Sequence, residues 1–245
     1  MTGEPLSLTV LGCDGSSPGP GGSGSGYLVR CGTTKVWVDA GPGTLANLQR
    51  YVDIEDLDAV VISHSHPDHW SDLDHFAVAA RWVIGRPPLP VYAAEGVREL
   101  MRVGVAAEVL DWRPIEDGHA VAVGPMDFSF SQTDHPVTTL AVRVDGGGRS
   151  LGYSADSGPG WGLSALGPGL NLALCEATFL SDLEDSGLSH MSAREAGRTA
   201  RDAGVERLVI IHLWPRVDRA AAKAEAEEAF GGEVTLAAMG DRYVA

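Results

Sequence analysis

His64-Ser65-His66-Pro67-Asp68-His69 places three imidazoles and one carboxylate within six residues, directly behind the apolar run Asp58–Ser63. Imidazole nitrogen and carboxylate oxygen suit zinc and its first-row neighbours, and so many polar groups at one strand end are costly to bury unless a cation or water satisfies them. Three further polar residues stand where strands are expected to end: His135 after Phe128–Gln132, Asp156 after Leu151–Ser154, and His212 at the close of Val209-Ile210-Ile211. Each alone reads equally as a hydrogen-bonded structural residue or the start of a turn. Taken jointly, ligands converging from several strand ends build a rigid metal site, and seven such residues suffice for two metals when one carboxylate bridges them.

The elements that must carry these residues follow from hydrophobic patterning. Strands are expected at Leu6–Gly12, Tyr27–Arg30, Lys35–Asp39 and Asp58–Ser63, the third stopped by Gly41-Pro42-Gly43, with a helix over Thr44–Tyr51. Leu73, Phe76, Ala77, Ala80 and Val83 recur at three-to-four spacing and predict a helix over Asp72–Ile84 with one apolar face. Pro87-Pro88-Leu89-Pro90 breaks it before a short strand, Val91–Ala93, and a helix over Glu95–Val103. Strands return at Ala120–Val123, Met126–Gln132, Thr139–Val144 and Ser150–Ser154. Leu170–Glu176 and Leu208–Leu213 read as strands buried on both faces, separated by a helix over Ala193–Ala203 and followed by one over Asp218–Phe230. Both halves run strands first and helix after, so the pattern is one α/β domain of residues 1–245 with two sheet-plus-helix layers packed face to face. Gly19-Pro20-Gly21-Gly22-Ser23-Gly24 is formally a dinucleotide fingerprint, but it leads into a strand rather than a helix and lacks that motif's context.

Composition narrows the partners. The formal charge of −15, from 33 acidic against 18 basic side chains, repels a phosphate backbone over most of the surface, and no run of Lys or Arg offsets it. Arg194, Arg198 and Arg201 fall at helical spacing and read as the wet face of an amphipathic helix. Cys13, Cys31 and Cys175 are odd in number and widely spaced, which argues against a disulfide framework and for a reducing compartment. No apolar run reaches the roughly 18 to 20 residues that span a bilayer. The expected location is the cytoplasm, with no membrane partner; a homodimer is compatible with this reading.

Leu11-Gly12 with its glycine-rich loop, the His64–His69 hexapeptide, His135, Tyr153-Ser154-Ala155-Asp156, Glu176-Ala177-Thr178-Phe179, His190-Met191-Ser192 and His212 together resemble the metallo-β-lactamase-fold hydrolases, in the branch of ribonuclease Z and its phosphodiesterase relatives. The resemblance spans nearly the whole chain and implies a four-layer αββα sandwich, two mixed sheets flanked by helices, with the site at one edge. It also implies that His64, His66 and His135 hold one divalent ion, that Asp68, His69 and His212 hold a second, and that Asp156 bridges them. Zinc is the expected metal, with manganese or iron as alternatives. Two such ions roughly 3.5–4 Å apart hold a bridging hydroxide as nucleophile and neutralise phosphodiester oxygens. Besides ligating, Asp68 is placed to orient the nucleophile; by the resemblance His190 protonates the departing alkoxide, the alternative being a loop residue that merely precedes the next helix. Ser192 and Glu195 have capping-box spacing, which fixes the start of the following helix and aims His190 inward.

Glu176 ends a buried strand and either orients a ligand imidazole from behind or makes a structural hydrogen bond. Trp70, Trp161 and Trp214 follow ligand positions closely and either wall a substrate pocket or simply pack. His75 and His119 carry no comparable context. Ribonuclease Z proper inserts a long arm between the equivalents of His135 and Asp156; here twenty residues separate them, consumed by two strands and the Asp145-Gly146-Gly147-Gly148 turn. The expected activity is therefore hydrolysis of a small phosphodiester, a cyclic nucleotide leading, in preference to tRNA 3′-end cleavage. Lactone, sulfate-ester or β-lactam hydrolysis on the same scaffold is the rival enzyme class, and a metal-stabilised binding protein without turnover the non-enzymatic one.

Overall fold

Alternation sends the side chains of each central strand to two different cores. In the strand Ala59–Ile62, Ala59 and Val61 face a core shared with a second sheet, while Val60 and Ile62 face helices. The computed structural model describes residues 5–102, 104 and 106–245. Its strands in chain order are β1 (Ser7–Gly12), β2 (Gly26–Cys31), β3 (Thr34–Ala40), β4 (Ala59–Ile62), β5 (Leu89–Ala93), β6 (Leu110–Pro114), β7 (Ala120–Val123), β8 (Met126–Gln132), β9 (Leu140–Gly146), β10 (Arg149–Tyr153), β11 (Leu172–Glu176), β12 (Leu208–Ile211), β13 (Val234–Leu236) and β14 (Arg242–Val244). They form two seven-stranded sheets, ordered β14-β1-β2-β3-β4-β5-β6 and β13-β12-β11-β10-β9-β8-β7. Each sheet is mixed: β3 to β6 run parallel in the first and β10 to β13 in the second, the remaining neighbours antiparallel.

The sheets meet through Leu8, Val10, Tyr27 and Val61 on one side and Phe128, Val142, Leu174 and Ile211 on the other. Helices α1 (Thr44–Leu48), α2 (Pro67–Trp70), α3 (Asp72–Ala79), α4 (Val97–Leu100) and α5 (Ala106–Val109) belong to the first half, and α6 (Ala193–Asp202) and α7 (Arg219–Phe230) to the second. Leu48, Leu73 and Phe76 pack on Trp37, Val60 and Ile62, whereas Ala196, Ala200, Ala222 and Ala226 pack on Ala173, Cys175 and Ile210. This is the four-layer αββα sandwich expected from the sequence. The capping box at Ser192 is formed: its hydroxyl accepts from Glu195 N–H and the Glu195 carboxylate accepts from Ser192 N–H.

The departures lie at edges and helix ends. β6, β13 and β14, absent from the expected elements, are all edge or near-edge strands, and β6 carries Asp111, Arg113 and Pro114, residues that weaken a strand signal while blunting an edge. The helix expected over Asp72–Ile84 is α-helical only to Ala79 and ends in a single π turn, Ala80–Ile84. Leu73, Phe76, Ala77 and Ala80 are buried as the periodicity requires, but the wider turn carries Val83 off the apolar face, leaving it 78% exposed. The helix expected over Glu95–Val103 is confined to α4, and Val103 lies outside the described residues. Among the described residues no helix is long and apolar enough to cross a membrane.

Candidate metal centre

The chemistry-bearing residues gather where strands of both sheets end on one edge. His64 follows β4 after Ser63, His135 follows β8, Asp156 follows β10, and His212 follows β12 directly. Such C-terminal strand edges are where α/β sheets bind ligands. Pro67 starts α2 with its fixed φ and absent N–H, and the single turn it begins winds Asp68 and His69 into the interior. Ala155 and His212 hold left-handed backbone conformations at φ 51° and 60°, and Asp39, near the end of β3, at φ 53°. Such costly non-glycine conformations persist where surrounding structure demands them.

Asp156 stands between two groups of ligand-type atoms. Its Oδ2 is 3.5 Å from His64 Nε2 and 3.9 Å from His135 Nε2, while its Oδ1 is 3.2 Å from His69 Nε2 and 3.3 Å from His212 Nε2. His135 Nε2 is also 3.1 Å from His66 Nδ1, and Asp68 Oδ2 is 3.3 Å from His212 Nε2 and 3.5 Å from His69 Nε2. Two quartets result, His64-His66-His135-Asp156 and Asp68-His69-Asp156-His212, each with its donor atoms within 4.8 Å of one another. All seven residues singled out in the sequence are thus brought together, and Asp156 is common to both sets.

This donor set fits divalent cations on physical grounds. His64 Nε2 and Asp156 Oδ1 are buried side-chain atoms that make no hydrogen bond, a loss that a coordinated ion would repair. Burial, with neighbouring imidazoles and against the pull of Asp156, holds the pKa of His64 well below its ordinary value; burial likewise lowers His66 and His135, so all three favour the neutral form that ligates. Asp68 and Asp156 are held ionised: burial opposes their charge, but for Asp68 it is His69 first and for Asp156 His212, His69 and His64 that outweigh it. His69 is pulled up despite burial because Asp156, Asp39 and Asp68 converge on it. The centre is a place where three carboxylates demand positive charge.

Two buried carboxylates that the ligand pattern does not contain brace these groups. Asp39, fully buried, accepts from Ser63 N–H and Ser63 Oγ (both 2.7 Å) and from Tyr153 Oη (2.6 Å), and its Oδ2 lies 2.7 Å from His69 Nδ1. Ser63 Oγ is in turn 3.0 Å from His64 Nδ1. Sequence reasoning missed Asp39, which lies in β3 just before the Gly41-Pro42-Gly43 stop. Glu176 was expected either to brace a ligand imidazole or to make a structural bond. The structural bond is present: Glu176 Oε1 accepts from Ser157 N–H at 2.7 Å, beside Asp156, and the same oxygen is 2.9 Å from Nδ1 of His190, while Thr178 Oγ1, 2.7 Å from Glu176 Oε2 and 2.9 Å from His212 Nδ1, connects it to a ligand-type imidazole. That connection is indirect because of register: Glu176 ends β11 beside Ile211, one residue short of His212. His190 sits between the rings of His135 and His212, with centroids 5.1 and 5.4 Å away. Burial lowers its pKa, but Glu176 overrides this and raises it to about 9.

Glycines in the loop after β1 and in the stop after β3 have a steric purpose. A Cβ on Gly41 would lie 2.0 Å from the Asp68 carbonyl oxygen, and one on Gly15 would lie 2.1 Å from that of His212, so the backbones under two ligand-type residues need glycine opposite them. The tryptophans divide. Trp70 is buried and donates Nε1–H to the Ser65 carbonyl, bracing the metal loop instead of walling a pocket. Trp161 lines a cavity of about 310 Å³ with Met191, and Trp214 one of about 390 Å³ with the glycine-rich loop. His75 pairs with Asp72 and His119 with Glu116; both imidazoles are exposed and belong to neither quartet.

Comparison with known proteins agrees with this geometry. Residues 34–213 match the family described as the beta-lactamase superfamily domain. The probable metallo-hydrolase YhfI of Bacillus subtilis is 32% identical over 239 residues, covering 96% of this chain and 98% of that protein; the crystal structure of YhfI superposes with a TM-score of 0.89 over 99% of this chain and all of that one, at 30% identity. A ribonuclease Z of Mycobacterium bovis is 30% identical over 247 residues, covering 86% of this chain and 87% of that protein. A diphosphatase of the PhnP family shares the fold, with a TM-score of 0.79 at 17% identity and 98% coverage of both chains. The chain belongs to the beta-lactamase superfamily, as a metallo-hydrolase of the metallo-β-lactamase fold.

Proposed function

We propose that this chain is a dinuclear metal-dependent phosphodiesterase acting on small diesters, with a cyclic nucleotide as the leading natural candidate. His64, His66 and His135 would hold one ion, Asp68, His69 and His212 the other, with Asp156 shared; zinc suits the imidazole-rich donors, manganese or iron less so. When bound, such ions lower the pKa of water towards about 7 and neutralise the non-bridging oxygens of a phosphodiester. Asp68, beside the centre, orients the attacking water as well as ligating.

The observation that carries this reading is the Glu176–His190 pair. The 2.9 Å contact at Nδ1 fixes the imidazole by one nitrogen, and the ring lies between His135 and His212, so Nε2–H can pass its proton to a leaving alkoxide at the centre. A dedicated acid beside two metal sets is what an ester with a basic leaving oxygen requires. Phosphodiesterase chemistry is also compatible with a relative named ribonuclease Z and a fold neighbour named a diphosphatase.

The ribonuclease reading has the Mycobacterium bovis relative in its favour. Against it, β9 and β10 are joined through Gly147 and Gly148 in a tight hairpin between His135 and Asp156, and the net charge of −15 repels a long polyanion. The test is hydrolysis by metal-loaded protein of 3′,5′-cyclic AMP, bis-p-nitrophenyl phosphate, p-nitrophenyl phosphate and a tRNA precursor. The proposal expects both diesters to exceed the monoester in kcat/KM and the precursor to be cut slowly or not at all. A faster monoester, or efficient formation of the mature tRNA end, would overturn it.

A further inference from the structure

Beside the His64/His66/His135 set opens a cavity of about 600 Å³ that none of the motifs accounts for, and its walls join it to the centre. Gly96, on its wall, is placed so that a Cβ there would contact Ser65, the residue between His64 and His66, at 3.6 Å. Gln132 and Thr138, also on the wall, bracket His135 at three residues on either side. The ligand-type residues do not themselves line the cavity, but these wall residues neighbour them, which places the cavity on the side of the centre towards which one ester arm of a bound substrate could extend.

The lining describes that arm. Trp112 on β6 is half-buried and presents an indole to the cavity, with buried Ala94 and Ile115 adding apolar wall. A flat ring gains by stacking there. Among the described lining residues, Glu95, Glu99, Glu116 and Asp117 stand around it against one cation, Arg98. Asp117 already accepts from Gln132 N–H and Glu116 is paired with His119, so Glu95 and Glu99 are the carboxylates left to accept from a ligand's N–H and O–H donors, and the acidic rim as a whole repels a second phosphate. The volume lies within the range that small-molecule sites use and suits one nucleoside-sized group.

We infer that this cavity is the specificity site for the diester's organic arm and selects a flat, hydrogen-bond-donating, non-anionic heterocycle of the aminopurine class. The inference rests on the phosphodiesterase reading for its role in turnover, but its binding chemistry is separately measurable.

Adenosine is the probe, because it carries the ring and the amine but no phosphate to engage metals. Calorimetric titration of the metal-loaded protein should detect adenosine binding and show purine riboside, which lacks the amine, bound about tenfold more weakly. Trp112→Ala should weaken adenosine about tenfold or more, and Trp112→Phe should restore most of the loss by returning an aromatic face. With 3′,5′-cyclic AMP as substrate, Trp112→Ala should act on KM and not on kcat. No adenosine binding by the wild-type protein, equal affinity for the two nucleosides, or a Trp112→Ala defect confined to kcat would overturn the inference. Adenosine binding that depends on Trp112, in a protein that cleaves no diester, would uphold the cavity's selectivity and reject the phosphodiesterase reading instead.

Discussion

Asp39 and Glu176 are both fully buried carboxylates near strand ends, one in each sheet, and they brace the centre differently. Asp39 reaches two ligand-type imidazoles, His69 directly and His64 through Ser63. Glu176 reaches one, His212 through Thr178, and spends its direct contact on His190. The hydroxyl relay is repeated, carboxylate to Ser63 to His64 in one sheet and carboxylate to Thr178 to His212 in the other. What differs is the directly held imidazole: in the first sheet it belongs to a metal quartet, and in the second it is His190, which belongs to neither quartet although Glu176, His190 and His212 also bring ligand-type atoms within 4.8 Å of one another. On the proposed function the two braces would divide the labour, the first sheet serving to hold cations and the second sharing that task with proton delivery.

The largest expected effect on metal binding and stability comes from breaking the first brace. Asp39→Asn removes one charged acceptor from a buried cluster of four donors, and should lower metal affinity 10–100-fold and cost about 3 kcal/mol of stability. Metal titration followed by thermal unfolding checks both, and unaltered affinity would remove the asymmetry from the comparison. Next is the second brace: Glu176→Gln and His190→Ala should each slow hydrolysis of a diester with an alkyl leaving group by roughly 10²–10⁴-fold, with a much smaller loss when p-nitrophenolate leaves. Metal affinity should change less than for Asp39→Asn. Equal losses on the two substrates with metals retained would make His190 a phosphate-positioning residue and not an acid.

Smaller effects sharpen the account. Thr178→Val cuts the relay to His212 and should weaken metal binding about tenfold, with Thr178→Ser restoring it; a serine variant as poor as the valine one would place the effect in packing instead of in the hydroxyl. Gly41→Ala drives a methyl group towards the Asp68 carbonyl and should cost about 1–3 kcal/mol by denaturant unfolding. A neutral result would mean that the loop yields without disturbing the backbone beneath Asp68.

The αββα layering and the gathering of the seven ligand-type residues were legible in the sequence because long apolar strands have a clear period and each of those residues stands just beyond one. Edge strands were not: β13 and β14 have three residues each, and β14 finds its place only by pairing Arg242, Tyr243 and Val244 with β1, at the opposite end of the chain. The π turn that exposes Val83 inserts extra backbone into a periodic pattern, which side-chain spacing does not register. Asp39 was hidden for another reason. It is separated from His69 by thirty residues and declares itself only through the parallel pairing of β3 with β4 that brings it to Ser63. The cavity around Trp112 depends likewise on β6 lying beside β5, a pairing no local motif announces.

The central claim is a two-cation centre divided at Asp156, and metal stoichiometry tests it most directly. Elemental analysis of protein purified without chelator, offered zinc or manganese and then desalted, should give about two ions per chain. Asp156→Ala should lose both together, whereas His135→Ala should lose chiefly one. A wild-type stoichiometry clearly below one, or equal losses from the two variants, would contradict the account.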